Sequence, residues 1–186
     1  MSDAMVVLVT VSEAAGTMTF TISLNNPIDI PVTIDVNYTD QSATGGGVDY
    51  DSAADGTTFP ANSTASRTVT VAITNDNLVE ATETVTVTLS GITSAAPGIS
   101  LDDANGTATV SIADDDTAVV SIANISEGAE GDPPAAGKFR VTQFKPSSTD
   151  TVLSYTVDGT ATPGAGDDYT PLGGSVTIAA GTTTAE

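Results

Sequence analysis

The stretch Thr17-Met18-Thr19-Phe20-Thr21-Ile22-Ser23-Leu24 alternates hydroxyl and apolar residues without a break. Successive side chains of an extended strand point to opposite sides, so this pattern gives one apolar and one wet face. The same alternation returns in Val32-Thr33-Ile34-Asp35-Val36-Asn37-Tyr38, Thr68-Val69-Thr70-Val71-Ala72-Ile73 and Thr84-Val85-Thr86-Val87-Thr88-Leu89. Helical spacing appears nowhere over a useful length. Between these runs lie turn-rich segments: Thr44-Gly45-Gly46-Gly47, Pro97-Gly98, and Asn105-Gly106 just before a strand expected over 107–113. Many short strands with regular turns predict an all-β protein, an antiparallel, Ig-like β-sandwich.

The chain also repeats itself. Val48-Asp49-Tyr50 matches Asp167-Asp168-Tyr169, and at the same offset of 119 residues Phe59 falls on Ile178. Upstream, Val11-Ser12-Glu13-Ala14 matches Ile125-Ser126-Glu127-Gly128 at an offset of 114, the difference being taken up by the longer segment 128–137. The expected organisation is one complete sandwich over 1–116, followed by a second copy over 117–186. In that alignment Glu186 falls on Arg67, so nothing in this sequence corresponds to the strands expected in 68–116. A second copy without them has open edges and half a core. Three explanations stand open: a fragment of a longer array, strands supplied by a neighbouring molecule, or a partly unfolded second copy.

Charge narrows the function. The 186 residues carry 24 Asp and Glu against four Lys and Arg, a formal −20, with no His and no Cys. Phosphate binding needs clustered cations, so neither nucleic acid nor an anionic membrane surface is an expected partner. Disulfides, cysteine–zinc sites and histidine catalysis are excluded by composition. The chain is not of the disordered acidic kind, because 39% of it is hydrophobic and its mean hydropathy is +0.11. No segment is long and apolar enough for membrane insertion. The start, Met1-Ser2-Asp3-Ala4, shows no basic region with an apolar run, so no signal peptide is expected within this sequence.

The acids gather at strand ends: Glu13, Asp49 with Asp51, Asp76/Glu80/Glu83, and Asp114-Asp115-Asp116. In a seven-strand sandwich the turns after the first, third and fifth strands and the exit of the last share one end. Carboxylates crowded there repel one another and call for a hard cation. Calcium, which takes six to eight oxygen ligands in flexible geometry, suits that supply better than magnesium, zinc or copper. Asp102-Asp103 belongs to a turn at the opposite end and is read as a turn pair. Tyr50 and Tyr169 are read as packing residues. Paired carboxylates also serve glycoside hydrolysis, but only 4% of the residues are aromatic, too few to line a sugar cleft, and no nucleophile or phosphate-loop motif is present. The chain is not expected to be an enzyme.

Several of these features together resemble tandem Calx-beta domains, the regulatory calcium-binding modules of sodium–calcium exchangers, which also form arrays in bacterial surface proteins and adhesins. The features are Val11-Ser12-Glu13, the Gly-rich stretch ending in Asp49-Tyr50, and Asn75-Asp76-Asn77-Leu78-Val79-Glu80-Ala81-Thr82-Glu83-Thr84 with the strand after it. The strand over 106–113 running into Asp114-Asp115-Asp116 completes the first copy; Ser126-Glu127-Gly128, Gly166-Asp167-Asp168-Tyr169 and Gly174-Ser175-Val176-Thr177-Ile178 carry the second. Carried over by position, the resemblance implies calcium ligands at Glu13, Asp49, Asp76, Glu80, Asp114, Asp115 and Asp116, with the Leu78 carbonyl and Glu83 contributing. Asn75 stands where the exchanger module has an acid, removing one charge. The second copy keeps Glu127 and Asp168.

The expected function is a calcium-binding structural or adhesive module of an extracellular or cell-surface repeat protein or fibre, with Ca2+ rigidifying the joint between domains. The partners expected are neighbouring repeats, with strand complementation between copies in a filament. The alternative is a calcium-sensing regulatory module of a larger membrane protein. A third reading is glycan or protein binding through a sandwich face.

Overall fold

The computed structural model describes residues 4–6, 10–94, 98–102 and 106–186. Pro97, Asp103 and Asn105, each assigned above to a turn, lie outside them. The described residues form thirteen strands and one 3-10 turn, and no helix among them is long and apolar enough to cross a membrane. Two compact units are present: 1–76 with 81–115, and 77–80 with 116–186.

Unit 1 is a two-sheet sandwich. One sheet holds β1 (Ala4–Val6), β3 (Thr17–Leu24) and β6 (Arg67–Ala72), in the order β1-β3-β6. The other has the order β2-β8-β7-β4-β5, made of β2 (Thr10–Ser12), β4 (Val32–Asp40), β5 (Asp55–Phe59), β7 (Glu83–Thr93) and β8 (Thr107–Ala113). Pairing is antiparallel except for β2 with β8, which is parallel. The alternation is read out directly in β3, where Met18, Phe20, Ile22 and Leu24 are buried and Thr17, Thr19 and Thr21 are exposed. Val32, Ile34 and Val36 of β4, Val85, Val87 and Leu89 of β7, and Val110 and Ile112 of β8 close the core from the other side. Burying a side chain of this size contributes about 1.5–3 kcal/mol, so the apolar rows of β3, β4 and β7 together are a main source of stability. A β-bulge sits where β4 meets β7: Ile34 opposes Ile92 and Asp35 opposes Ser90, leaving Gly91 unpaired with φ +52. The positive φ favours glycine at this place, whereas a Cβ there would meet only the movable Asp35 carboxylate.

Unit 2 repeats part of this plan. Its strands are β9 (Val120–Ser126), β10 (Lys138–Gln143), β11 (Thr151–Ser154), β12 (Ser175–Ile178) and β13 (Thr184–Ala185). They make a three-stranded sheet, β13-β10-β9, and a two-stranded one, β11-β12. The register of the smaller sheet reproduces the repeat offset residue for residue. In unit 1, Val32 opposes Phe59 and Ile34 opposes Thr57; in unit 2, Thr151 opposes Ile178 and Leu153 opposes Val176. Segment 77–80 joins this unit through Val79, whose N–H donates to the Pro146 carbonyl (2.9 Å) and whose carbonyl accepts from the Ser148 N–H (3.0 Å).

Strand expectations and observation agree at β3, β4, β6, β7 and β8 to within a few residues. Strand β5, Asp55-Gly56-Thr57-Thr58-Phe59, was not expected. Its glycine and the single apolar residue at its end give no alternating signal, and β4 imposes the extended conformation by pairing with it.

Candidate metal site

One end of unit 1 is held together by backbone hydrogen bonds between its loops. Strand β2 ends with Ser12 opposite Ala113 of β8, so Glu13 and Asp114 emerge from neighbouring strands. Glu13 opens the 3-10 turn Glu13–Ala15, capped by the Ser12 hydroxyl, and is 5% exposed. The Ala14 N–H donates to Asp115 Oδ1 (3.1 Å), which brings the exit acids to that turn. The Gly16 carbonyl accepts from Ile73 (3.0 Å), the Asp49 carbonyl from Thr74 (2.9 Å) and the Thr84 carbonyl from Ala43 (3.0 Å). The turn after β2, the Gly-rich loop and the start of β7 are therefore stitched into one surface.

Asp49, Glu80 and Glu83 each place a carboxylate oxygen within 4.8 Å of the others. Asp49 is buried and the two glutamates are half-buried. At an effective dielectric of about 20, each such pair of like charges costs about 3–4 kcal/mol. An all-oxygen donor set with one buried carboxylate fits a hard divalent ion, and of the common ones calcium accepts such irregular geometry most readily.

Asp49 has a second role. Its Oδ2 accepts the Thr44 N–H (2.6 Å) while its own N–H donates to the Thr44 carbonyl (3.0 Å), closing the loop 44–49. Gly46 and Gly47, with φ of +74 and +87, occupy the left-handed region inside that closure, where only glycine sits without strain. Asp168 does the same in unit 2, accepting the Thr162 N–H (2.7 Å) and donating to the Thr162 carbonyl (3.1 Å). The Asp-Tyr motif is thus a loop clasp in both units as well as a source of carboxylate.

The other expected ligands fall in different surroundings. Asp76 is exposed, and Leu78 is half-buried. Asp114 is half-buried at the end of β8, and Asp115 is exposed beside the 3-10 turn. Asp116 is ion-paired with Lys145, both partly buried. Glu127 is exposed and accepts from the Asn124 side chain; Asp168 is exposed.

Two participants escaped the sequence reading. Asp40 Oδ1 accepts both the Tyr50 hydroxyl (2.6 Å) and the Gly45 N–H (3.0 Å), bracing the Gly-rich loop from β4. Asp40 lies just beyond the alternating run 32–38, and its spacing before the glycines was the available signal. Lys145 was counted only as one of four cations. Tyr50 is fully buried in the core, as a packing residue should be, and its ring meets Tyr38 edge-on at 6.2 Å. Burial, then the hydrogen bond to Asp40, raise the Tyr50 phenol well above its ordinary range. Burial, followed by the charges of Asp55 and Asp51, pushes Tyr38 up to about 12.

A sandwich whose loops gather carboxylates at one end offers the oxygen donors that a hard cation takes. The family model of the Calx-beta domain matches residues 6–116 and again 130–186, and the chain belongs to that family. Calx-beta domains are non-catalytic calcium-binding modules that occur in membrane and cell-surface proteins. Among solved structures, the chain is similar to the apo-form Calx CBD1 domain, at 20% identity and TM-score 0.55, covering 62% of this chain and 98% of that one. It is also similar to CBD12 from CALX1.2, at 18% identity and TM-score 0.52, covering 96% and 70% respectively. At these identities the likeness is one of fold. The search of curated protein sequences found no match.

Proposed function

We propose that the chain is a calcium-binding structural or adhesive module of an extracellular or cell-surface repeat protein, in which Ca2+ stiffens the joint between successive domains. The observation that carries this reading is the convergence of Asp49, Glu80 and Glu83 in a member of the Calx-beta family. The carboxylates of these residues would hold the ion, joined by Glu13, Asp114 and Asp115 from the same end of unit 1. Bound calcium supplies positive charge that offsets their mutual repulsion. The acids then hold the loop ends and the strand exit in one arrangement. Of the 24 acids, 16 lie in residues 1–116 against a single cation, Arg67, a formal −15, so the repulsion to be relieved is concentrated in the first copy.

Thermal melts in excess EDTA and in millimolar calcium test this. Calcium at about 100 times its Kd stabilises by roughly 2.7 kcal/mol, seen as a higher midpoint; coincident midpoints refute calcium binding by the folded state. Asp49→Asn keeps an acceptor for the Thr44 N–H while removing the charge, and is expected to weaken calcium binding at least about tenfold, or 1.4 kcal/mol. Asp168→Asn is expected to leave it unchanged. Affinity separates a spacer from a sensor, because extracellular modules fill at about 10⁻⁴–10⁻³ M and sensors at about 10⁻⁷–10⁻⁵ M.

A further inference from the structure

Asp49 lies in the Gly-rich loop and Glu83 opens β7, and one short segment of unit 1, residues 40–44, grips both. Pairing between β4 and β7 ends with Asp40 opposite Val85, where the chain leaves the sheet for the loop. It keeps its hold on β7 by another means. The Ser42 hydroxyl accepts the Thr84 N–H (2.8 Å), a side-chain oxygen in the role of a strand carbonyl, and lies 3.3 Å from the Thr84 hydroxyl. The Ala43 N–H donates to the Thr84 carbonyl (3.0 Å), and Ala43 is fully buried. Thr84 follows Glu83 directly, so both polar backbone groups of the residue beside that acid are taken by the segment. On its other side, Thr44 exchanges two hydrogen bonds with Asp49. Asp40 steadies the loop through the Gly45 N–H and the hydroxyl of Tyr50, the residue after Asp49.

From this we infer that Ser42 is a positioning residue of the cation site, and that segment 40–44 is the spacer through which it acts. Ser42 is not one of the converging carboxylates; it works through Thr84 on Glu83, while Thr44 holds Asp49. The inference rests on the calcium reading and deepens it, by naming what sets the affinity of that site before an ion arrives. Two carboxylates with oxygens within 4.8 Å of each other repel. Were the Gly-rich loop and the start of β7 free to separate, that repulsion would drive them apart. An arriving ion would then have to draw them together again and restore their order, at a cost to its affinity. With the spacer in place the acids stay close, and the ion meets a formed site. Groups that orient metal ligands from outside commonly change affinity by about 10–100-fold when removed. Ser42→Ala removes the acceptor of the Thr84 N–H and loosens Glu83 from the spacer, yet it takes away no ligand.

Calorimetric titration of the full chain with calcium reads the affinity, and melts in EDTA read the stability. Ser42→Ala is expected to weaken calcium binding about tenfold, and Ser42→Thr, which keeps the hydroxyl, to bind within about threefold of the unchanged chain. Thr33→Ala is the control, because it removes a hydroxyl pair with Thr58 (2.9 Å) elsewhere on β4; its affinity should not change. The proposal is overturned if Ser42→Ala binds calcium as the unchanged chain does, if Ser42→Thr is as weak as Ser42→Ala, or if Thr33→Ala weakens binding equally. Should the unchanged chain take up no calcium, the calcium reading fails, and the spacer is still measured without metal. A double-mutant cycle of Asp49→Asn and Glu83→Gln in EDTA reads the repulsion between the two carboxylates. A coupling present in the unchanged chain and lost in Ser42→Ala sustains the proposal. A coupling absent from the unchanged chain, or unaltered by Ser42→Ala, overturns it.

Discussion

Phe20 and Phe139 occupy the same place in two copies of one pattern, and one is sealed in a core while the other is more than half exposed. Around them the local structure is alike. Strands β4 and β5 pair as β11 and β12 do, and the Asp49 clasp on Thr44 recurs as Asp168 on Thr162. Strand pairing and loop closure are therefore carried by short stretches of chain. A core is not, because it needs a second sheet whose apolar row faces the first. Even Gln143, at the place of buried Leu24, shows the adjustment: it is 3% exposed and donates its amide to the Lys145 carbonyl (2.7 Å), a polar residue satisfied where unit 1 packs an apolar one.

The comparison is broken most forcefully at that phenylalanine pair. Phe20→Ala is expected to cost about 3–5 kcal/mol through the cavity it leaves. Phe139→Ala should stay within about 0.5 kcal/mol. Denaturant melts of the two variants measure the difference, and equal losses would show that unit 2 buries its face in solution after all.

A smaller effect is expected at the paired tyrosines. Tyr50→Phe removes a buried hydroxyl bonded to the Asp40 carboxylate, at a cost of about 1.5–3 kcal/mol, whereas Tyr169→Phe, in a partly buried site, should change little. The same chemistry gives unit 1 an alkaline limit. Folding raises the pKa of Tyr38 and Tyr50, so the fold favours the neutral phenols. Their contribution is complete below the ordinary value of 10.0 and is lost as pH rises through the folded-state values, about 12 for Tyr38 and higher still for Tyr50. Ultraviolet titration of the phenolate band should find two late-ionising tyrosines, and Tyr50→Phe should remove one of them.

The smallest effect belongs to unit 2. Glu186 accepts from Arg140 (Nε, 3.1 Å) and Lys138 (3.3 Å), which hold its carboxyl below the usual range, but the cluster lies in solvent. Glu186→Gln is expected to leave the melting midpoint unchanged at physiological salt, because exposed ion pairs are screened. A clear drop would reveal a tighter unit 2 than its surface suggests.

Much of this was legible in the chain. Alternation over 17–24, 32–38, 68–73, 84–89 and 107–113 marks the strands, because a period of two is a local property of extended backbone. The offset of 119 was legible too, and the ladders repeat it. Strand β5 was hidden, since its conformation comes from β4 rather than from its own residues. Asp40 was hidden because its role depends on a hydroxyl ten positions later returning to it. The acids could be counted but not grouped: only the loop-to-loop hydrogen bonds show that Asp49, Glu80 and Glu83 converge, that Asp115 turns to Ala14 and that Asp116 meets Lys145. Sequence by itself determined that the alternating runs extend, where the chain turns between them and how the pattern repeats, because these are set by neighbours along the chain. Tertiary structure alone decided which apolar rows are buried and which carboxylates share a site, because both are set by groups that lie close in space and far apart in sequence.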